Sequence, residues 1–478
     1  MFWRSTGWLW TATICQALVH ALHGQTAGPS TMPSPSPASM QPVSEPEEWK
    51  AQGLSPEQQV PGIQQPQFGS EQMPETGPGT PFEQEPGWPS GELNSSLPEN
   101  STQFQLPPDQ LPVDPRATGL KFSVGPIDIR PVMQFTLEDS DNILASTSNR
   151  RGDLIYIIAP GGTLAVGDYA AKEYHYLTLT YVPTLNLYNH FSSLNSLDQH
   201  LRIDGQYGLE RLKLSGYFGY DKAFGGNRDI GGLVNSDYYT MGAAAKYRIN
   251  EQMSFEALGD QVFAHYQNAI GSKEFINHDW LNYIFTPKLT VSAGGAFGVL
   301  QPDTGGTQTY EQGLGRLQFA STDKLTFNGS AGFEVREFPS GKGIRVTPVF
   351  GLSATYQVFP GTTLGVSGAR NVTYSAAVTG SNYTATNISA TITQHLIGNL
   401  SIGLDAGFEN DAYFQVSGAQ PGTTARQDNY FIVRPNLTYR WNDWANISVS
   451  YFYRDNHSNS PGRSFYNNQI TVGMNVGF

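Results

Sequence analysis

The sequence predicts an all-β fold: an antiparallel, up-and-down transmembrane β-barrel of about eighteen strands, with sixteen as the alternative count, preceded by a Pro/Gln-rich segment that does not fold. Three observations carry this. Beyond residue 119, run after run alternates apolar and polar residues with period two. The connections between runs are short and long by turns. The final run alternates without a break up to Phe478.

The first 27 residues stand apart. Arg4 is a lone positive charge, an apolar run extends from Gly7 to Leu22, and the small residues Gly24 and Ala27 follow. This is the layout of a secretory signal peptide, so export across an inner membrane is expected, with cleavage at Gly24 or Ala27 left open. The single cysteine, Cys15, lies in the apolar run, behind Ala12, Thr13 and Ile14, which fit a lipid-attachment box poorly. Neither a disulfide framework nor a cysteine metal site is expected.

Residues 28–118 hold 19 of the 31 prolines, with twelve acidic residues against two basic ones, Lys50 and Arg116, so they contribute −10 of the formal −13. Isolated apolar residues at no fixed period cannot bury enough surface to offset the entropy of ordering. The segment is expected to be disordered and periplasmic, either a solvated spacer or an arm that engages a periplasmic partner. Because the acidity belongs to this segment, it does not mark a surface for a basic partner, and nucleic acid is not implied.

From 119 to 478 the texture is that of strands. No stretch there approaches the roughly 18 consecutive apolar residues of a membrane-spanning helix, so strands must do the crossing. Leu201, Ile203, Tyr207 and Leu209 oppose His200, Arg202, Asp204 and Gln206; Leu289, Val291, Ala293, Phe297 and Val299 oppose Thr290, Ser292 and Gly294. The same alternation sets Leu325, Phe327, Ala331 and Phe333 against Thr326, Asn328, Ser330 and Glu334, and Ile402, Leu404 and Phe408 against Ser401, Gly403 and Asp405. Leu437, Tyr439 and Trp441 oppose Asn436, Thr438 and Arg440, and Ile447, Val449, Tyr451 and Tyr453 oppose Asn446, Ser448 and Ser450. In the last run Ile470, Val472, Met474, Val476 and Phe478 oppose Gln469, Thr471, Gly473, Asn475 and Gly477. Only residues 153–188 are ambiguous, since Leu154 to Asp168 reads either as one strand interrupted at Pro160-Gly161-Gly162 or as two short ones.

Alternation also suits a soluble sandwich, and two further features favour lipid. Brief turns near Glu210-Arg211, Asn250-Glu251, Pro287, Thr322-Asp323, Pro360-Gly361 and Asn442-Asp443 take turns with longer polar loops near 139–152, 189–197, 221–236, 265–273, 300–310, 336–343, 375–381, 409–427 and 454–464. Short periplasmic turns and long outer loops are the habit of outer-membrane barrels. Moreover, the polar faces carry unpaired-looking charges that a dry core could not hold but a water-filled interior could. Nine hairpins give the count of eighteen and put both ends of the barrel in the periplasm.

A barrel of this size leaves an aqueous channel. By parity, Arg202, Asp204, Lys246, Glu256, Arg316, Glu334, Asp405, Arg434 and Arg440 are candidates for the lumen wall or a constriction that sets selectivity. Trp441 and Trp444 flank a periplasmic turn, where an interfacial aromatic girdle sits. The C-terminal strand, Ile470, Val472, Met474, Val476 and Phe478, must meet the first strand for every backbone group to be paired in hydrocarbon.

Asp141-Asn142-Ile143, Gly152-Asp153-Leu154-Ile155-Tyr156, Ala159-Pro160-Gly161, Val166-Gly167-Asp168-Tyr169 and Asn195-Ser196-Leu197-Asp198-Gln199-His200-Leu201 resemble the second-type β-barrel porin family of bacterial outer membranes, and the similarity extends more loosely through the later hairpins. The width of the barrel implies passage of small hydrophilic solutes, the likeness of the last strand to those of bacterial outer-membrane barrels implies that the barrel-assembly machinery reads it, and the family resemblance implies a porin-like barrel with, in some members, a role beside exopolysaccharide export. That last role is the alternative function, in which residues 28–118 would engage secretion partners. No catalytic residue, cofactor or metal is implied. The barrel's seven histidines (175, 190, 200, 265, 278, 395 and 457) are scattered outside any nucleophile or metal spacing, and an enzyme is not expected. The Arg151-Gly152-Asp153 tripeptide is too short to imply adhesion.

Overall fold

The computed structural model describes residues 122–169, 175–322, 324–339, 343–415 and 425–477. The expectations for residues 1–27, for 28–118 and for Phe478 lie outside these. A short strand, β1 (Phe122–Val124), precedes eighteen long ones. These are β2 (Ile127–Ser140), β3 (Asp153–Gly167), β4 (His175–Tyr188), β5 (Ser196–Gly208), β6 (Leu212–Asn227) and β7 (Gly232–Arg248). There follow β8 (Met253–Tyr266), β9 (Ser272–Thr286), β10 (Leu289–Pro302), β11 (Gln308–Thr322), β12 (Leu325–Glu337) and β13 (Ile344–Phe359). The last six are β14 (Thr362–Tyr374), β15 (Ser381–His395), β16 (Leu400–Gln415), β17 (Gln427–Asn442), β18 (Ala445–Ser458) and β19 (Phe465–Gly477).

Each long strand pairs antiparallel with the next, and β19 returns to β2 in a ladder from Gln469↔Ser140 to Gly477↔Val132. The sheet is therefore a closed, eighteen-stranded barrel, which leaves no edge for hydrocarbon to meet. The alternation read from the sequence is the alternation of the wall. Phe135, Leu137, Leu437, Tyr439, Ile470 and Val472 are exposed on the outer face, while Thr136, Glu138, Ser450 and Gln469 between them are buried on the inner one.

Several boundaries differ from expectation. The connection expected at 221–236 is largely strand, because β6 and β7 pair as far as Asn227↔Gly232, and those expected at 409–427 and 454–464 begin as strand, since β16 extends to Gln415 and β18 to Ser458. The polar composition that reads as loop belongs to strand ends that reach beyond the apolar belt. Among the described residues one turn escapes the sequence, at 396–399, where no proline or Asn-Asp pair punctuates the chain. Trp444 lies within the last turn rather than beside it, since Asn442 pairs with Ala445.

The ambiguous stretch is the single strand β3. Its ladder with β4 keeps one register from Ile155↔Tyr188 to Gly167↔Tyr176 but skips residues 159–161. Pro160 and Pro183 face this gap without an N–H to donate. Gly161 sits so close to β4 that a Cβ there would lie 2.7 Å from the Tyr181 carbonyl oxygen.

At the long-loop end the wall departs from a plain cylinder twice. The β5–β6 ladder stops at Gln199↔Lys222 and the β7–β8 ladder at Ser236↔Tyr266, so the top of the β6–β7 hairpin leaves its neighbours. Likewise β13 and β14 pair only from Phe350↔Arg370 to Phe359↔Thr362, and the upper part of each runs on unpaired with the other. There Arg345, on the inner-face parity of β13, lies 3.7 Å from the centre of the Phe414 ring, which has the outer-face parity of β16. The top of β13 thus overlaps the outside of its successors.

Candidate functional site

The inner face is a set of local ion pairs, each built across neighbouring strands. Arg202 donates to the Asp204 carboxylate at 3.0–3.1 Å and lies over the Tyr217 ring at 4.9 Å. Arg316 reaches across β10 to β9 and β8, where its Nη2 donates to Asn282 at 2.7 Å and to Glu256 at 2.8 Å, while its guanidinium covers Trp280 at 4.4 Å. Glu334 accepts from Arg336 Nε at 2.7 Å and from Gln312 at 2.9 Å. Asp405 accepts from Arg434 Nε and Nη2, both at 3.1 Å. Lys246 stands opposite Glu256 in register, and Arg440 lies near the β17–β18 turn, opposite Asn446.

All nine sequence candidates therefore carry inner-face parity, but eight of them stand beside a partner or an opposite charge. The sequence made the charges look unpaired because each partner comes from another strand or from two residues along the same face. Charge-assisted bonds of this kind make the wall rigid.

The feature that fills the mouth lies outside the period-two pattern of the strands. Residues 228–231, the tip of the β6–β7 hairpin, reach across to strands far along the chain. The Asp229 carboxylate accepts from Ser375 Oγ at 2.9 and 3.0 Å, from Tyr413 Oη at 3.0 Å, from the Ala377 amide at 3.2 Å and from Arg426 Nη1 at 3.3 Å. Its carbonyl accepts from Arg426 at 2.9 Å and from Arg463 at 3.0 Å. Arg228 forms an ion pair with Glu409, lies 3.8 Å from Asp411 and covers the Tyr430 ring at 4.1 Å.

Burial first, and the neighbouring Arg426 second, lower the pKa of Arg463 in its loop; the nearby Asp229 carboxylate opposes both. Gly231, at φ +75°, makes the turn possible, and a Cβ there would meet Arg463 Nη1 at 2.0 Å. From the other side, the β14–β15 tip brings Ala376 against Val234, Tyr238, Ala264 and Tyr266, and its carbonyl accepts from the Ile270 amide at 2.9 Å. Two hairpins thus meet over the lumen and are latched at Asp229.

Beside this latch a cavity of about 240 Å³ runs along β18, β19, β2, β3 and β4, bounded above by Phe224, Gly225 and Gly226 of the in-folded hairpin. Its charged lining groups are Glu138 and Arg454, and none of the nine sequence candidates lines it. At the opposite end of the barrel Tyr207, Tyr247, Phe285, Phe359, Trp441 and Trp444 are exposed, close to the short turns.

Comparison with known families finds one match, to the family described as Putative beta-barrel porin 2, over residues 304–478. These residues contain β11 to β19, the second half of the barrel, whereas the motifs that resemble the family in the sequence lie at 141–201. A comparison with curated proteins returns no match.

Among solved structures, Pseudomonas aeruginosa OccK5 (OpdH) aligns at 12% identity over 74% of this chain and 98% of its own, with a TM-score of 0.42. OpdK of the same organism aligns at 10% identity over 73% and 99%, with a TM-score of 0.41. Acinetobacter baumannii OccAB3 aligns at 12% identity over 74% and 100%, also at 0.41. The closed wall with its apolar outer face and the family match together describe a porin-like barrel of the outer membrane.

Proposed function

We propose that this porin-like barrel, whose second half matches a porin family, passes small hydrophilic solutes by diffusion along the wall formed by β18, β19, β2, β3 and β4. One observation carries the reading: inside a closed wall, the cavity beside the latch is lined by uncharged polar groups such as Thr136, Asn186, Thr471 and Asn475 together with apolar ones, and by only one charged group of each sign. The charges that would otherwise dominate the field are tied up in wall pairs or in the latch. Purified, heat-modifiable protein in a planar bilayer is expected to give discrete conductance steps, and correctly folded protein without conductance would overturn the reading.

The nine parity candidates have a secondary place in this reading. Their pairs brace the wall and shape the potential within it. Glu334→Gln and Arg434→Gln are expected to shift the reversal potential in a salt gradient in opposite directions. Unchanged potentials for both would leave these residues a bracing role alone.

The remaining parts of the chain fit the same reading. Residues 1–27 direct export and residues 28–118 form a periplasmic spacer. The outward side chains of β19, with Phe478, are what the barrel-assembly machinery engages, and Trp441 and Trp444 hold the periplasmic interface.

A further inference from the structure

We infer that the cavity beside the latch is a selective binding site for small, uncharged amphiphiles that carry hydroxyl groups on a short apolar body; this rests on the channel reading and names the solute class. The argument begins with β3. Its inner-face positions Ile155, Ile157 and Ala159 line the cavity with apolar side chains, while its outer face carries Tyr156, Leu164 and Val166. A strand apolar on both faces inside an aqueous lumen leaves surface that water wets at a cost of about 25 cal/mol per Å². Ile143 from the first long loop and Leu233 from the in-folded hairpin add apolar groups to the lining of the same cavity.

The β19–β2 seam runs alongside β3 in the same wall, and it is polar. Gln469 donates to Glu138 at 2.8 Å, which leaves its Oε1 buried with no hydrogen-bond partner among the described residues; Thr471 Oγ1 is in the same position. Gln469 is 6% exposed and lines the cavity. A buried acceptor of this kind is costly unless a donor reaches it, and a ligand hydroxyl supplies one. The charged lining groups, Glu138 and Arg454, are one of each sign, so the cavity offers no net field to hold an ion. An apolar patch beside unsatisfied acceptors, without net charge, matches a neutral molecule with a hydrocarbon part and a hydroxyl part. A volume of about 240 Å³ limits that molecule to a small one.

The test uses the full chain folded in detergent, with 1,2-hexanediol as probe, and glycerol and hexanoate as controls that lack the apolar body or carry a charge. Saturation-transfer NMR is expected to show saturable binding of 1,2-hexanediol only. Ile157→Asn and Thr471→Val, each verified by heat-modifiability, are expected to weaken it about five- to tenfold. In the planar bilayer the same probe should reduce the ionic current with the same concentration dependence. Binding equal to that of glycerol or hexanoate, or unchanged in both variants, overturns the inference. Normal conductance without binding overturns this inference alone, while binding without conductance overturns the channel reading alone.

Discussion

At the scale of single residues, Asp229 gathers donors from four separate parts of the chain: Ser375 and Ala377 beyond β14, Tyr413 on β16, Arg426 before β17 and Arg463 before β19. Hydrogen bonds to a charged group contribute about 1.5–3 kcal/mol each, so one carboxylate holds the mouth in its folded-over arrangement. Asp229→Asn keeps the shape but weakens the bonds to Arg426. Single-channel recordings should therefore show the larger conductance level occupied on the order of tenfold more often. Gly231→Ala is expected to act the same way by a steric route, since its Cβ would displace the Arg463 guanidinium, and an unchanged level distribution in both variants would count against the latch. None of this was legible from the sequence. Parity arguments separate the two faces of a strand, and Glu256, Arg316, Asp405 and Arg434 share the parity of the inner-face polar groups. They say nothing of a hairpin tip, whose side chains obey no period. The signal that could have drawn attention to the tip is local: Arg228 and Asp229 set among Gly225, Gly226, Gly231 and Gly232, a turn too flexible to hold two buried charges without partners from elsewhere.

At the scale of elements, β3 shows where pattern reading weakens. Its run Asp153–Gly167 has no clean alternation because both faces are apolar, and Pro160-Gly161-Gly162 looks like a break. The strand passes through unbroken because Pro160 falls in a gap of the ladder and Gly161 admits the close approach of Tyr181 and Val182. Gly161→Val should clash with both and destabilise the barrel by about 1–3 kcal/mol. A lowered midpoint in urea unfolding, read by electrophoretic mobility of the folded form, checks it. Elsewhere the elements were legible because lipid on one side and polar groups on the other impose a strict period of two. The ends of β6, β16 and β18 were not. Above the apolar belt both faces turn polar, and composition no longer distinguishes a paired strand from a loop.

At the scale of the whole molecule, the fold was the most readable level. The even count and the closure through the last strand appear as the sequence implies, with β19 paired to β2 over nine register positions from Gln469 to Gly477. Closure also sets a sharp asymmetry between neighbours. Val472 faces outward and Thr471 inward on the same strand, so Val472→Arg is expected to cost up to about 2–4 kcal/mol in a bilayer, while Thr471→Arg should be far milder. Equal losses of folded protein, measured by heat-modifiable electrophoresis after refolding into vesicles, would contradict the assigned faces.

The incomplete ladder between β13 and β14 bears on the mechanics of the mouth. Below Phe350 and Arg370 the wall is a continuous hoop, whose circumference can change only by breaking backbone hydrogen bonds. Above that level it is a split collar, lapped where Arg345 and Phe338 rest against Phe414. A collar of this form widens by letting side chains slide, which leaves the gauge of the pore near the membrane constant while the outer opening adjusts to what enters it.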